Sequence, residues 1–189
     1  MPHRHPISRA IPTLWLMTDE RMGDRLWAAI EALPRGAGIV FRHHATDRGE
    51  RLALFERVAR IARRKRLILV RAGPERLGRG EAGGHGDVRL FYPGLRSWPA
   101  HSRAEAVSAK RAGAEIVFVS PVHRTRSHPG ERSLGPLRAA AIVRGLGLTP
   151  IALGGMDARR FARMRGLGFH GWAAIDALMP DQKRKAVPT

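Results

Sequence analysis

Short apolar runs alternate with amphipathic stretches along most of this chain. Thr13–Asp19 is apolar, brief and bounded by polar residues, the pattern of a buried strand. Asp24 then stands where a helix cap belongs, and Leu26–Leu33 repeats its apolar positions at helical spacing until Pro34 and Gly36 stop it. Ala37–Arg42 reads as a second strand. It is followed by an amphipathic helix, Glu50–Arg64, with Leu52, Phe55, Ala59 and Ala62 on the buried stripe and Arg51, Arg57, Arg60, Arg63 and Arg64 on the wet side. Leu67–Val70 and Asp87–Phe91 are the third and fourth strands. Between them Gly73, Gly78, Gly80, Gly83, Gly84 and Gly86 occupy the place of a helix, which is therefore expected to be reduced.

Leu95–Ala100 is the weakest strand, because Pro99 interrupts it. Ser102 caps a helix running through Ala112, Gly113 ends it, and Glu115–Ser120 is a sixth strand. A polar loop, Pro121–Ser133, leads to a helix at Pro136–Arg144, a strand at Pro150–Leu153, a helix at Asp157–Arg165 and an eighth strand at Gly171–Ile175. Strands alternating with helices imply right-handed parallel βα units. Eight of them predict a closed (β/α)8 barrel, a short one since ~200 residues is the usual lower limit; a doubly wound open sheet is the alternative. The barrel domain spans 13–178, between a basic lead at 1–12 and a flexible tail at 179–189. In either fold the ligand belongs at the carboxyl ends of the strands.

Composition adds a strong positive charge, 34 Lys+Arg against 16 Asp+Glu, formally +18, in a chain that is 43% hydrophobic. Such a charge attracts phosphate esters, pyrophosphate, nucleic acid or an anionic membrane surface, although an arginine-rich proteome produces it without any functional cause. The arginine face of Glu50–Arg64 has no interleaved stacking aromatics, so it reads as solvated surface rather than a nucleic-acid ridge. Cysteine is absent, which excludes disulfides, thiolate catalysis and cysteine-ligated zinc. No apolar run approaches the ~20 residues of a membrane helix, and Met1–Pro12 lacks a signal-peptide core; a cytoplasmic protein is expected. No arm or coiled-coil seam forces self-association, which leaves monomer and homodimer both open.

Gly154-Gly155, at the end of the seventh strand and just before a helix, carries the clearest candidate chemistry. Glycine there lets backbone N–H groups approach a phosphate at the positive end of the helix; a plain turn explains the same residues.

The order of Val40-Phe41-Arg42, Ala100-His101-Ser102, Gly113 through Thr125, Ile151 through Met156 and Gly168 through Ile175 resembles the thiamine phosphate synthase family, which includes the TenI-like thiazole tautomerases. The resemblance covers about residues 13 to 178. It implies a triosephosphate-isomerase-type barrel that joins a pyrimidine bearing a pyrophosphate leaving group to a thiazole phosphate, with magnesium on the pyrophosphate.

By that resemblance Arg42 holds pyrophosphate, a role that suits a planar guanidinium. His44 stands in place of a lysine and carries charge only if its pKa is raised. Thr125 and Ser127 match loop hydroxyls, and His128 replaces a second lysine, with Arg124, Arg126 and Arg132 nearby. Gly154, Gly155 and Ile175 match the thiazole-phosphate seat, while Asp176 replaces a small hydroxyl residue and repels phosphate unless it turns away as a helix cap. His123 lies two residues beyond the tautomerase histidine position, Pro121, and in an extended segment would point the same way as a catalytic acid or base. Trp98 and His101 are further candidates for the pocket wall.

The family's metal ligands are not matched. Val70-Arg71 stands at the Asn-Asp pair and Gly94 near the later aspartate, so magnesium is in doubt and Arg71 is expected to take its place as a fixed cation. Three readings follow: a thiamine-phosphate-synthase-like or tautomerase-like enzyme; a non-catalytic, regulatory barrel for a phosphorylated ligand (thiazole phosphate, thiamine phosphate or pyrophosphate); and, on charge alone, a nucleic-acid-binding protein.

Overall fold

Each short apolar run sends alternate side chains to opposite faces, so eight of them can build a ring with one core inside and another between the strands and the helices. A computed structural model describes residues 10–86, 94–125 and 132–179. Its strands are β1 (Leu14–Met17), β2 (Gly38–Phe41), β3 (Ile68–Ala72), β4 (Gly83–His85), β5 (Leu95–Ala100), β6 (Ile116–Val119), β7 (Thr149–Ala152) and β8 (Gly171–Ala174). Each pairs in parallel with the next, and β8 returns to β1 with Leu14 opposite Trp172. The sheet is thus a closed (β/α)8 barrel and not an open doubly wound sheet. The helices are α1 (Arg25–Ala32), α2 (Arg48–Lys65), α3 (Arg103–Arg111), α4 (Pro136–Val143) and α5 (Ala158–Ala162).

The interior of the ring is packed by Trp15, Met17, Val40, Val70, Ala72, Ile116, Phe118, Ile151 and Ala173. Trp15 meets Phe118 edge to face at 5.5 Å and donates its indole N–H to Pro12 O at 2.7 Å. Gly38 on β2 makes room for that ring, since a Cβ there would lie 2.1 Å from it. The opposite faces of the strands meet the helices in two clusters. Leu16, Ile39, Phe41 and Leu69 pack with α1 and α2, and Val117, Val119 and Ala152 with α3 and α4.

Helix α2 starts at Asp47, whose carboxylate accepts from Gly49 N–H, and stops at Arg66 in the left-handed region. Its buried residues are Phe55, Val58 and Ala62, with Leu52 and Ala59 only half-buried at the margin of the stripe. Its arginines are partly engaged: Arg57 lies 3.7 Å over the Trp27 ring, and Arg64 and Lys65 reach Glu31 on α1. Arg51 is not on the wet side as the periodicity predicts, because it lies in the first turn of α2 and reaches back to the strand ends.

Other boundaries moved for local reasons. Asp24 occupies the cap position of α1 without a side-chain hydrogen bond to it. The fourth strand is Gly83–His85, inside the glycine-rich segment, and no helix separates it from β3; the expected strand Asp87–Phe91 lies outside the described residues. Glycine conceals a strand from apolar counting, but at Gly83 a Cβ would fall 1.9 Å from Leu95 O, so a bare backbone is what lets β4 approach β5. Pro99 does not break β5. Leu95 N–H donates to Ala82 O and Ser97 O accepts from Gly86 N–H, so odd-numbered residues of β5 bond towards β4. Pro99 comes after the last β4 residue, where no ladder donor is needed. The helix expected over Asp157–Arg165 is only α5, capped by Asp157, followed by a 3-10 turn at Arg165–Leu167.

Candidate functional site

A cavity of about 540 Å³ opens at the carboxyl ends of the strands, with Met17, Ala72, Leu153, Met156, Ala174 and Ile175 among its apolar lining. Its cation is Arg42, the first residue after β2. The Arg42 backbone N–H donates to Thr18 Oγ1 (3.0 Å), Nε donates to Thr18 O (2.9 Å) and Nη2 to Asp19 Oδ2 (2.8 Å). Asp19 also accepts from Arg21 through N–H, Nε and Nη2 at 3.0, 2.6 and 2.9 Å. The Arg21 hydrogen bond is the main reason that the Asp19 carboxyl is held down at about 2. From α2, Arg51 Nη2 donates to Ala72 O (2.8 Å) and Arg42 O (3.2 Å), tying β2 to β3 beneath the cavity rim. The Arg42 guanidinium is therefore held by the segment that follows β1, and the Arg42 carbonyl by Arg51 of α2.

His44 lines the cavity, but burial, then Arg51, lowers its pKa, so it does not replace a lysine's fixed charge. Thr125, Gly154, Gly155, Ile175 and Asp176 share the same cavity. The two glycines have a packing duty besides. A Cβ on Gly154 would lie 2.7 Å from Pro121 Cα and one on Gly155 2.3 Å from Arg124 O, with φ at +91° and +58°. Val122 and His123 N–H donate to Leu153 O (2.8 Å) and Gly154 O (3.0 Å), locking the loop after β6 onto β7. That lock turns His123 away: the chain bends at Val122 and His123 instead of staying extended, and Pro121 lines the cavity while His123 does not. His123 sits near Arg160 and Asp157, its pKa lowered by burial and then by Arg160. Asp176 does not retreat into a cap; it opens the 3-10 turn Asp176–Leu178 and lines the cavity.

Arg71 is elsewhere. It shares the outward face of β3 with Leu69, is 1% exposed, and its Nε donates to Glu81 Oε2 at 3.0 Å while Nη1 donates to Gly73 O. Glu81 also accepts from Leu77 and Gly78 N–H, at 2.6 and 3.1 Å, so the pair braces the loop that replaces a helix. The strand's alternation thus takes the expected metal substitute out of the cavity. Trp98 shares the outward parity of Ala100, whereas His101 lines the cavity and its Nδ1 bonds Ser120 O at 2.8 Å. Arg124 and Arg132 are exposed, and Ser127, His128 and Arg126 lie outside the described residues.

Two groups, one holding Arg42 and one lining the cavity, carry no apolar or motif signal in the sequence. Asp19 is one, although its place at the end of a strand beside Thr18 was a cue. The other is His85 of β4, hidden among glycines; it is 8% exposed and meets Phe118 edge to face at 5.1 Å. Burial, followed by Arg42 and His44, pushes its pKa down to about 3.

Among the described residues the donor set does not match a magnesium site. Among the described residues no group of three or more His, Asp or Glu could hold a metal, and the cavity's carboxylate is Asp176 alone. With β4 ending at His85, the positions after the fourth strand are Gly86 and Asp87, the latter outside the described residues.

Fold and site together define a βα barrel with a largely apolar cavity and an anchored cation at the strand carboxyl ends. Within that class, residues 97–178 match the sequence model of a family described as thiamine monophosphate synthase, which bears out the resemblance drawn from the motifs of the later strands. No curated protein matches the chain. Among solved structures, thiamine phosphate pyrophosphorylase from Pyrococcus furiosus is 20% identical with a TM-score of 0.75, over 92% of this chain and 90% of that one. The pyrophosphorylase from Bacteroides thetaiotaomicron is 19% identical with a TM-score of 0.56, over 93% and 89%. A glycerol uptake operon antiterminator regulatory protein from Listeria monocytogenes has the same fold at 6% identity and a TM-score of 0.60, over 95% and 97%. At these identities the structures establish the barrel.

Proposed function

We propose that the protein is a thiamine-phosphate-synthase-like transferase whose cavity takes a phosphorylated ring ligand. The observation that carries this is the convergence of Arg42, Thr125, Gly154, Gly155 and Ile175, from separate strand ends, on one cavity in a chain whose residues 97–178 match that family. In the reaction, the bond between the pyrimidine's methylene carbon and the pyrophosphate oxygen breaks and its electron pair leaves on pyrophosphate. The thiazole nitrogen supplies the pair for the new C–N bond, and no proton is transferred. Arg42, fixed before the ligand arrives, stabilises charge growing on the leaving group without reorganising. The apolar wall keeps water from the reacting carbon. No step is assigned to magnesium.

The single carboxylate among the cavity's described residues favours a second reading, a barrel that binds such ligands without turnover. Thiamine phosphate formation from the two half-molecules, with and without magnesium, divides the two. The enzyme reading expects product, and an Arg42→Ala loss of about a hundredfold or more, the usual effect of removing one preorganised group at a developing charge. Binding of thiamine phosphate without turnover supports the second reading; neither binding nor turnover defeats both.

A further inference from the structure

The two flanks of α2 differ. Towards α1 its cations are matched: Arg57 lies over the Trp27 ring, and Arg64 and Lys65 reach Glu31. On the other flank Glu56, Arg60 and Arg63 recur at helical spacing, and the helix that would face them in a complete (β/α)8 ring is absent between β3 and β4. A groove of about 1020 Å³ takes its place on the outside of the barrel, lined by α2, the start of β3 and the segment Gly78–Ala82. It shares no described lining residue with the cavity at the strand carboxyl ends.

The groove has an apolar floor and a cationic rim. Ala59, Ala62, Leu67, Leu69 and Ala82 supply the floor, with Ala59 and Ala82 left half-buried. Arg60, Arg63, Arg66 and Arg79 line it as well; all four are exposed, and none has an ion-pair partner among the described residues. Glu56 is the single carboxylate of the described lining. The far wall is pinned, because Glu81 accepts from Leu77 and Gly78 N–H and pairs with Arg71, and a Cβ on Gly80 would already touch Ala59 at 3.6 Å. From Glu56 to Arg66 the helix rises ~15 Å, about three turns.

Charge decides the occupant. A second copy would bring a chain of +18 with the same arginine rim, and the chain's own ends, 1–9 and 180–189, carry Arg4, Arg9, Lys183, Arg184 and Lys185 against Asp181. Both repel the rim. Nucleic acid suits the cations but brings no apolar face to the floor, and the described lining has no aromatic ring for a base to stack on. A helix with small apolar residues along one stripe and carboxylates on either side matches floor and rim together.

We propose that this groove docks an acidic amphipathic helix of a partner protein, about three turns long, which lies beside α2 where the barrel lacks a helix of its own. The partner's apolar stripe covers the alanine and leucine floor, and its carboxylates meet Arg60, Arg63, Arg66 and Arg79. The proposal stands apart from the transferase reading, because the groove and the cavity are built from different residues.

The test titrates the full chain with three labelled peptides of about twelve residues: an amphipathic helix with leucine and alanine on one stripe and glutamate beside it, a scramble of the same composition, and a counterpart with lysine for glutamate. Fluorescence anisotropy reads affinity at about 0.15 M salt, and backbone amide NMR reads location. The acidic helix should bind about tenfold tighter than its scramble, which carries the same charge without the apolar stripe, and should move the amides of α2 and Gly78–Ala82. The lysine peptide should not bind. Joint Arg60→Glu and Arg63→Glu should weaken the acidic helix about tenfold or more, since each reversal replaces an attraction by a repulsion. Ala59→Trp, which fills the floor, should remove the preference over the scramble; should it not fold, the exposed arginine pair supplies the readout. Equal binding of helix and scramble, shifts confined to other surfaces, or affinity unchanged in the arginine variant overturns the proposal. So does tighter binding of random duplex DNA to the same amides, or a dimer in sedimentation that the arginine variant or Ala59→Trp dissolves, because each gives the groove to a different occupant.

Discussion

The side chains that matter most at the site are held by others that no motif announces. Asp19 is the pivot, since it accepts from both Arg21 and Arg42 at the end of β1. Replacing it by Asn weakens charge-assisted bonds and should lower stability by about 1–3 kcal/mol in urea unfolding at pH 7. Its carboxyl pKa is depressed, so its contribution is complete above the ordinary value of 3.8 and is lost as pH falls towards about 2; Asp19→Asn should flatten that part of the acid limb. His85 works over a different window. Its folded pKa of about 3 lies below its ordinary 6.5, so between those values the unfolded chain binds one proton more and stability falls as pH falls. From pH 6.5 to 5 that one group costs about 2 kcal/mol. His43, His44 and His123, also shifted down chiefly by burial, act in the same direction. His85→Gln should therefore lose less stability than wild type between pH 7 and 5, and an equal loss would contradict the buried neutral ring.

At the scale of elements, the strands were legible where side chains carry the pattern and illegible where they do not. β1, β2, β5, β6, β7 and β8 fall within a residue or two of the apolar runs, and Ser102, with its hydroxyl accepting from Glu105 N–H, caps α3 as its residue type predicts. β4 was missed because Gly83-Gly84-His85 has no apolar alternation to read. The parity of Arg71 and the bend at His123 were also out of reach, because both depend on the register and packing of neighbouring strands. The helix stripe was read correctly at Phe55, which is fully buried and lies 5.3 Å from the Phe41 ring, edge to face. Phe55→Ala should cost about 3–5 kcal/mol. Gly155→Ala combines a positive φ with a backbone contact no side chain can relieve; a loss of about 1–3 kcal/mol is expected, measured by urea unfolding. A neutral result there would mean that the loop after β6 is not locked to β7.

For the whole molecule, a shortened barrel carries a charge of +18 whose arginines are in part engaged locally, on Trp27, Glu31, Asp19 and the strand-end carbonyls of β2 and β3. Among the described residues no helix is long and apolar enough to cross a membrane. Charge of this kind binds polyanions weakly and loses them steeply with salt, whereas a cavity built around one anchored guanidinium binds a small ligand through specific contacts. Thermal unfolding at moderate salt separates the two. With thiamine phosphate at about a hundred times its Kd, stability should rise by ~2.7 kcal/mol, some 5–10 °C for a domain of this size, and Arg42→Ala should lose most of that rise. No shift with thiamine phosphate, thiazole phosphate or pyrophosphate, alongside a salt-sensitive shift with random duplex DNA, would contradict the account.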